Sequence, residues 1–169
     1  MKTLTDLQMG PLMALMESAG QNGSKIVRQT PHDPVLYLDR LAAIFRHVTI
    51  ELEPGQAHPA AHLAIQEVWP VISQTFNVYA QDTRIMERTC RTLRFVIRCL
   101  GTQSSPLVEP LVKLLVSLYI VQPHSCFLYL VSTYRSRQCN ESKVLHNTEV
   151  IRFSTADICL KIYYFYSNS

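Results

Sequence analysis

A chain of 169 residues, 47% apolar and 17% charged, suits one folded unit with a buried core and excludes an intrinsically disordered protein. Its formal net charge of +3 is too mild to point by itself to nucleic acid or an anionic membrane. Five cysteines, Cys90, Cys99, Cys126, Cys139 and Cys159, stand at irregular spacing with no CxxC pair, against a disulfide framework or a zinc knuckle and in favour of reduced, mostly buried thiols.

The opening residues Met1 to Asp6 lack the apolar core of a signal peptide, and no stretch reaches the ~18 continuous apolar residues of a membrane span. The chain therefore reads as intracellular and soluble, with no membrane partner. Gly, Ser, Thr and Pro collect between Asn22 and Asp33, which predicts a surface loop between two helical stretches. Asp33 before Pro34 is an N-cap followed by proline at the first helical position, and Leu36, Leu38, Leu41, Ala42, Ile44 and Phe45 supply an apolar face to about His47. Glu53-Pro54-Gly55-Gln56 predicts a turn. A longer helix follows from about Pro59 to Tyr79, with Leu63, Ile65, Val68, Trp69, Ile72 and Phe76 inward and a kink at Pro70. Trp69 reads as a core anchor.

Asp82 caps the next helix, which runs to Leu100 and stops at Gly101. Pro106 opens another through Leu107, Leu111, Leu114, Leu115, Leu118 and Tyr119, ended by Pro123, and a short apolar piece from Cys126 to Leu130 comes last. Helices of this length, joined by short turns and paired about every 40 to 47 residues, match the spacing of HEAT or armadillo units and predict an all-α fold, with HEAT-like helical repeats slightly ahead of a plain helical bundle that has the same local signature. After Ser132 the helical period is lost. The expected organisation is a repeat segment over residues 1–131 and a divergent tail over 132–169, which includes the aromatic run Ile162-Tyr163-Tyr164-Phe165-Tyr166.

The chemistry concentrates in Asp82 to Gly101. Arg84, Arg88, Arg91, Arg94 and Arg98 are spaced four, three, three and four apart and fall within an arc of about 120° on a helix, opposite Ile85, Met86, Cys90, Leu93, Val96, Ile97 and Leu100. Five arginines against Asp82 and Glu87 leave this segment at +3, the charge of the whole chain. Like charges at these spacings cost roughly 0.2–0.5 kcal/mol per pair, so the helix is electrostatically unsatisfied alone. All five are Arg and none is Lys, which favours bidentate recognition of phosphate or carboxylate.

Other constellations are weaker. His58 and His62 stand at i,i+4 without a third metal ligand at suitable spacing, and read as a helix-start and a surface histidine. GxSxG, HExxH and a phosphate-binding glycine loop are all missing, so no enzyme activity and no cofactor are expected.

The strings Leu38 to His47, Ile65 to Ser73, Arg84 to Gly101 and His124 to Leu130 resemble the transportin-SR family of importin-β-type nuclear import receptors. The resemblance covers about residues 34–130 and implies a superhelix of HEAT repeats that moves between cytoplasm and nucleus. It implies phosphorylated Arg-Ser-rich splicing factors as partners, held by Arg91, Arg94 and Arg98 with Arg88 and Arg84 extending the stripe. Ran-GTP would be a partner only of the full-length receptor. Two other readings of the arginines stand beside this one. One is an RNA-binding helical repeat, disfavoured because Phe95 is the only aromatic near the stripe. The other is a purely structural spacer between other repeats, in which the stripe pairs with acidic side chains of neighbouring repeats missing from this chain.

Overall fold

Three helices of this chain start where the side chain of Asp33, His58 or Asp82 takes up a free amide of the first turn. In the computed structural model, which describes residues 1–22, 33–48, 53 and 55–131, α1 spans Lys2–Asn22 and α2 spans Pro34–His47. Asp33 Oδ1 accepts the Val35 N–H at 3.0 Å, and Pro34 occupies the first helical position, where its missing N–H costs nothing. The Gln56 N–H closes the following turn on Glu53 O at 3.0 Å, with Gly55 at φ 86°. His58 caps α3, Pro59–His62, by accepting the Ala60 N–H on Nδ1 at 3.1 Å.

Proline at position 70 cannot donate to a carbonyl in the preceding turn, and the helix absorbs that loss upstream. Residues Leu63–Val68 widen into a π-helical segment, in which the Trp69 N–H reaches back to Ala64 O, before α4 continues over Trp69–Val78. The misfit expected at Pro70 thus lies in the turn before it. The change of pitch also rotates the buried face: Leu63, Val68, Ile72 and Phe76 are buried, but Ile65 and Trp69 are only partly covered. Trp69 sits at the rim of the core rather than anchoring it.

Asp82 Oδ1 accepts the Ile85 N–H at 3.0 Å and starts α5, Thr83–Leu100, which Gly101 ends at φ 56°. A 3-10 stretch, Gly101–Leu107, contains Pro106, so α6 begins at Val108 and runs to Val121. A last helix, α7, covers residues 125–131. Among the described residues there is no strand. The expected loop over residues 23–32 and the tail over 132–169 lie outside the described residues.

Side-chain contacts fix how these helices stack. Asp33 meets Arg84, Leu38 O meets Thr92 and Asp39 meets Arg91, pairs 51, 54 and 52 residues apart that advance together, so α2 and α5 are parallel neighbours. Lys2 with Glu67 and Met16 with Thr75 relate α1 in the same parallel sense to the run from α3 to α4. His58 N–H donates to Gln103 Oε1 at 2.7 Å, which brings the start of α3 to the end of α5 and makes those helices antiparallel. At the other end the His124 imidazole donates to Ala80 O at 2.8 Å, Phe127 stands edge-on to Phe76 at 5.9 Å, and Tyr129 meets Arg94, 35 residues away.

Equivalent helices that run parallel, each separated by an antiparallel partner, make an all-α helical repeat of HEAT-like hairpins. One layer holds α1, α3 with α4, and α6; the other holds α2, α5 and α7. The spacing between equivalent positions is uneven, longer than the expected 40 to 47 residues at the first step and shorter at the second, because the connections differ in length. Leu12, Met16, Leu38, Phe45, Phe76 and Met86 are fully buried between the layers. Each such side chain stabilises by roughly 1.5–3 kcal/mol.

Taken as one helical run, Thr83–Val121 has the length and mean hydropathy of a membrane span. Gly101 and the 3-10 stretch divide it, however, and the 14 residues of α6 reach only about 21 Å against a hydrocarbon thickness of about 30 Å.

His58 ties pH to this fold. Its Nδ1 accepts the cap bond, and its Nε2 lies 3.9 Å from Cys99 Sγ, so the imidazole is used in its neutral form. Burial pushes it below the ordinary histidine value of about 6.5. The unfolded chain therefore binds the proton more readily, and this contribution is complete above about pH 6.5 and is lost as pH falls through the folded value. The urea midpoint should drop between pH 7.5 and 5.5, and His58→Asn, which keeps an N-cap, should flatten that part of the profile.

Candidate functional site

The apolar side of α5 is buried as its periodicity predicts: Ile85, Met86, Cys90, Leu93, Val96, Ile97 and Leu100 all enter the core. The Cys90 thiol is pushed well up by its hydrogen bond with Cys126 and by burial, which suits an inert core residue. The opposite side is not a free face. Thr89, Thr92 and Phe95 are buried too, because α2 packs along the stripe: Thr92 Oγ1 donates to Leu38 O at 2.9 Å, and Phe95 is only 5% exposed.

The five arginines consequently have different surroundings. Arg84 donates through Nη1 and Nη2 to the two oxygens of Asp33 at 2.7 and 3.1 Å, and the Asp33 side chain is only 6% exposed. That carboxylate is also the cap of α2, so one group joins the starts of two parallel helices. Arg88 and Arg91 share a single half-exposed carboxylate oxygen, Asp39 Oδ1, at 3.5 and 3.3 Å. Arg94 meets no carboxylate among the described residues: it donates to Tyr129 Oη at 2.9 Å and lies 5.0 Å from the centre of the Phe95 ring and 5.5 Å from that of Tyr129. Arg98, one turn further on, is exposed. Compensation by acidic side chains thus weakens from Arg84, through Arg88 and Arg91, to Arg94.

Two further residues join the stripe. Arg46, in the last turn of α2, places its guanidinium 5.7 Å from the centre of the Phe95 ring, and Tyr129 of α7 is 59% exposed beside Arg94. Neither lies on α5, so a wheel drawn for that helix cannot find them. The parallel register of α2, α5 and α7 brings them in. His58 and His62 are the cap of α3 and an exposed residue of its last turn, and no group of three candidate metal ligands occurs among the described residues.

The fold and this surface define an all-α helical-repeat protein with a cationic face shared by neighbouring repeats. Residues 58–152 match the model of a named family, the transportin-3/importin-13 fourth TPR domain, and the chain belongs to that family. It is also similar to Transportin MOS14 of Arabidopsis thaliana, 29% identical over 98 residues that make up 57% of this chain and 9% of that relative. The family match continues to residue 152, beyond the described residues.

The geometry predicts unequal stability costs along the stripe. Arg84→Ala leaves a nearly buried carboxylate without its bidentate partner and should destabilise by about 2 kcal/mol or more, the usual cost for a buried pair discounted for the partly exposed guanidinium. Arg91→Ala removes a half-exposed ion pair and should cost about 1 kcal/mol or less. Equal urea midpoints for the two variants would contradict this division.

Proposed function

We propose that this chain works as part of a nuclear import receptor, moving between cytoplasm and nucleus, and that its arginine stripe holds phosphorylated Arg-Ser-rich splicing factors. In this reading residues 1–131 are the cargo-binding repeat segment and residues 132–169 a separate tail. Ran-GTP would engage only a full-length receptor, and no catalytic step is involved.

The observation that carries the proposal is the excess of guanidinium over carboxylate on the outer side of α5. Among the described residues, Arg84, Arg88, Arg91 and Arg94 meet two carboxylates, Asp33 and Asp39. Phosphoserine brings about −1.5 to −2 charges and three acceptor oxygens, which suits guanidinium forks. An extended peptide rises about 3.3 Å per residue, so alternate phosphoserines recur roughly every 6.6 Å, a spacing suited to arginines one helical turn apart. Asp39, half exposed between Arg88 and Arg91, is a candidate partner for the peptide's own arginines. RNA is the weaker ligand class: Phe95 is buried beneath guanidinium groups, which leaves Tyr129 as the exposed ring at the stripe, whereas single-strand binders stack successive bases.

The test is a titration of the protein with an alternating Arg-Ser peptide, phosphorylated or not, and with single-stranded RNA of equal charge. Replacing Arg91, Arg94 and Arg98 together by Glu should weaken phosphopeptide binding by well over a hundredfold, since each charge-assisted bond is worth roughly 1.5–3 kcal/mol. The unmodified peptide, itself cationic, should bind the parent poorly and the variant no worse. A triple variant that keeps its helical content and binds the phosphopeptide as tightly as the parent would make the stripe a structural spacer, and preferential binding of RNA would reassign the surface to nucleic acid.

A further inference from the structure

We infer that Arg46 of α2 is a further binding residue, and that Arg46, Arg91 and Arg94 together form a cradle for one phosphomonoester dianion across the seam between α2 and α5. The inference rests on the phosphopeptide reading above and adds a contact from a second helix, outside the stripe.

Three guanidinium groups gather around a single ring: Arg46, Arg91 and Arg94 lie 5.7, 6.0 and 5.0 Å from the centre of Phe95. Since none is more than 6.0 Å from that point, no two can be separated by more than twice that distance. Three like charges this close repel one another. The π face of Phe95 offsets part of that repulsion but brings no negative charge. The carboxylate that does, Asp39, is shared by Arg88 and Arg91. Among the described residues neither Arg46 nor Arg94 has an acidic partner within ion-pair distance, and Arg46 is exposed. The cluster is therefore a local surplus of charge, held by a buried ring and assembled from two helices whose register is fixed elsewhere along the seam.

The chemistry that satisfies such a surplus is compact, carries nearly two charges and offers an oxygen to each fork. A phosphomonoester has these properties. A carboxylate supplies one charge and two oxygens, and a phosphodiester supplies one charge per unit.

Single and double alanine variants of Arg46 and Arg94, in the full chain, are titrated with the phosphoserine Arg-Ser peptide, with the same peptide carrying Glu in place of phosphoserine, and with single-stranded RNA. Arg46→Ala should weaken the phosphopeptide by about tenfold or more, the loss of one charge-assisted bond, and the Glu peptide by much less. Arg46→Lys should recover part of the loss. The double variant should lose less than the product of the single losses, because both residues hold the same group. Circular dichroism of each variant reports whether α2 is intact. If Arg46→Ala binds like the parent while Arg94→Ala is weakened, the cradle is wrong and the phosphopeptide reading stands. Strictly multiplicative losses overturn the shared site, and equal losses for RNA and phosphopeptide overturn the monoester. A parent that does not bind the phosphopeptide overturns both the cradle and the function on which it rests.

Discussion

The Asp33 carboxylate is the joint on which the α2–α5 seam depends. It closes the first turn of α2 through the Val35 N–H and holds Arg84 in a bidentate pair at the start of α5. A buried pair of this kind adds little net stability over a well-packed apolar contact, because desolvation offsets most of the attraction. Its effect is on register: a slide of α5 along α2 would leave the carboxylate and the guanidinium both unpaired, at a cost of several kcal/mol. Thr92, bonded to Leu38 O near the middle of the seam, sets the same register a second time with a neutral group.

Register is what turns a helix with arginines into a surface with a pattern. With α2 fixed parallel to α5, Asp39 falls between Arg88 and Arg91, and Arg46 falls over the ring of Phe95. The third parallel helix then brings Tyr129 to Arg94. Membership of the transportin-3/importin-13 family places this arrangement among proteins built from repeated helices, where surfaces arise from neighbouring repeats.

Local rules made much of this readable in advance. Asp33, Asp82 and Gly101 act at helix ends through atoms of their own turns, and the apolar side of α5 follows from period alone. Features that depend on another element were out of reach. The period on α5 places Phe95 among the arginines, but its burial comes from α2, and Arg46 lies far from Phe95 in sequence. At Pro70 the missing N–H was legible. The cure was not, since a π turn trades good hydrogen bonds for a shifted face, and only the packing of Leu63, Val68 and Ile72 against the other layer decides whether that trade is favourable. Trp69 lost its expected central place through that same shift.

The pairing along the stripe is graded, and its two ends differ in physical character. A guanidinium engaged by a buried carboxylate stiffens the fold and is poorly available to a ligand, because binding would first have to break the pair. A guanidinium without a carboxylate is available but repels its neighbours. Here the surroundings change along the axis: Arg84 is tied to a buried carboxylate, Arg88 and Arg91 share one half-exposed carboxylate, and Arg94 rests on aromatic surface that attracts cations without neutralising them. Aromatic support offsets part of that repulsion at Arg94, since the ring faces of Phe95 and Tyr129 attract the guanidinium and the Tyr129 hydroxyl accepts one of its N–H groups. Arginine suits both ends of this gradient, forking onto a carboxylate at one and stacking on rings at the other, whereas lysine would keep the charge and lose both geometries.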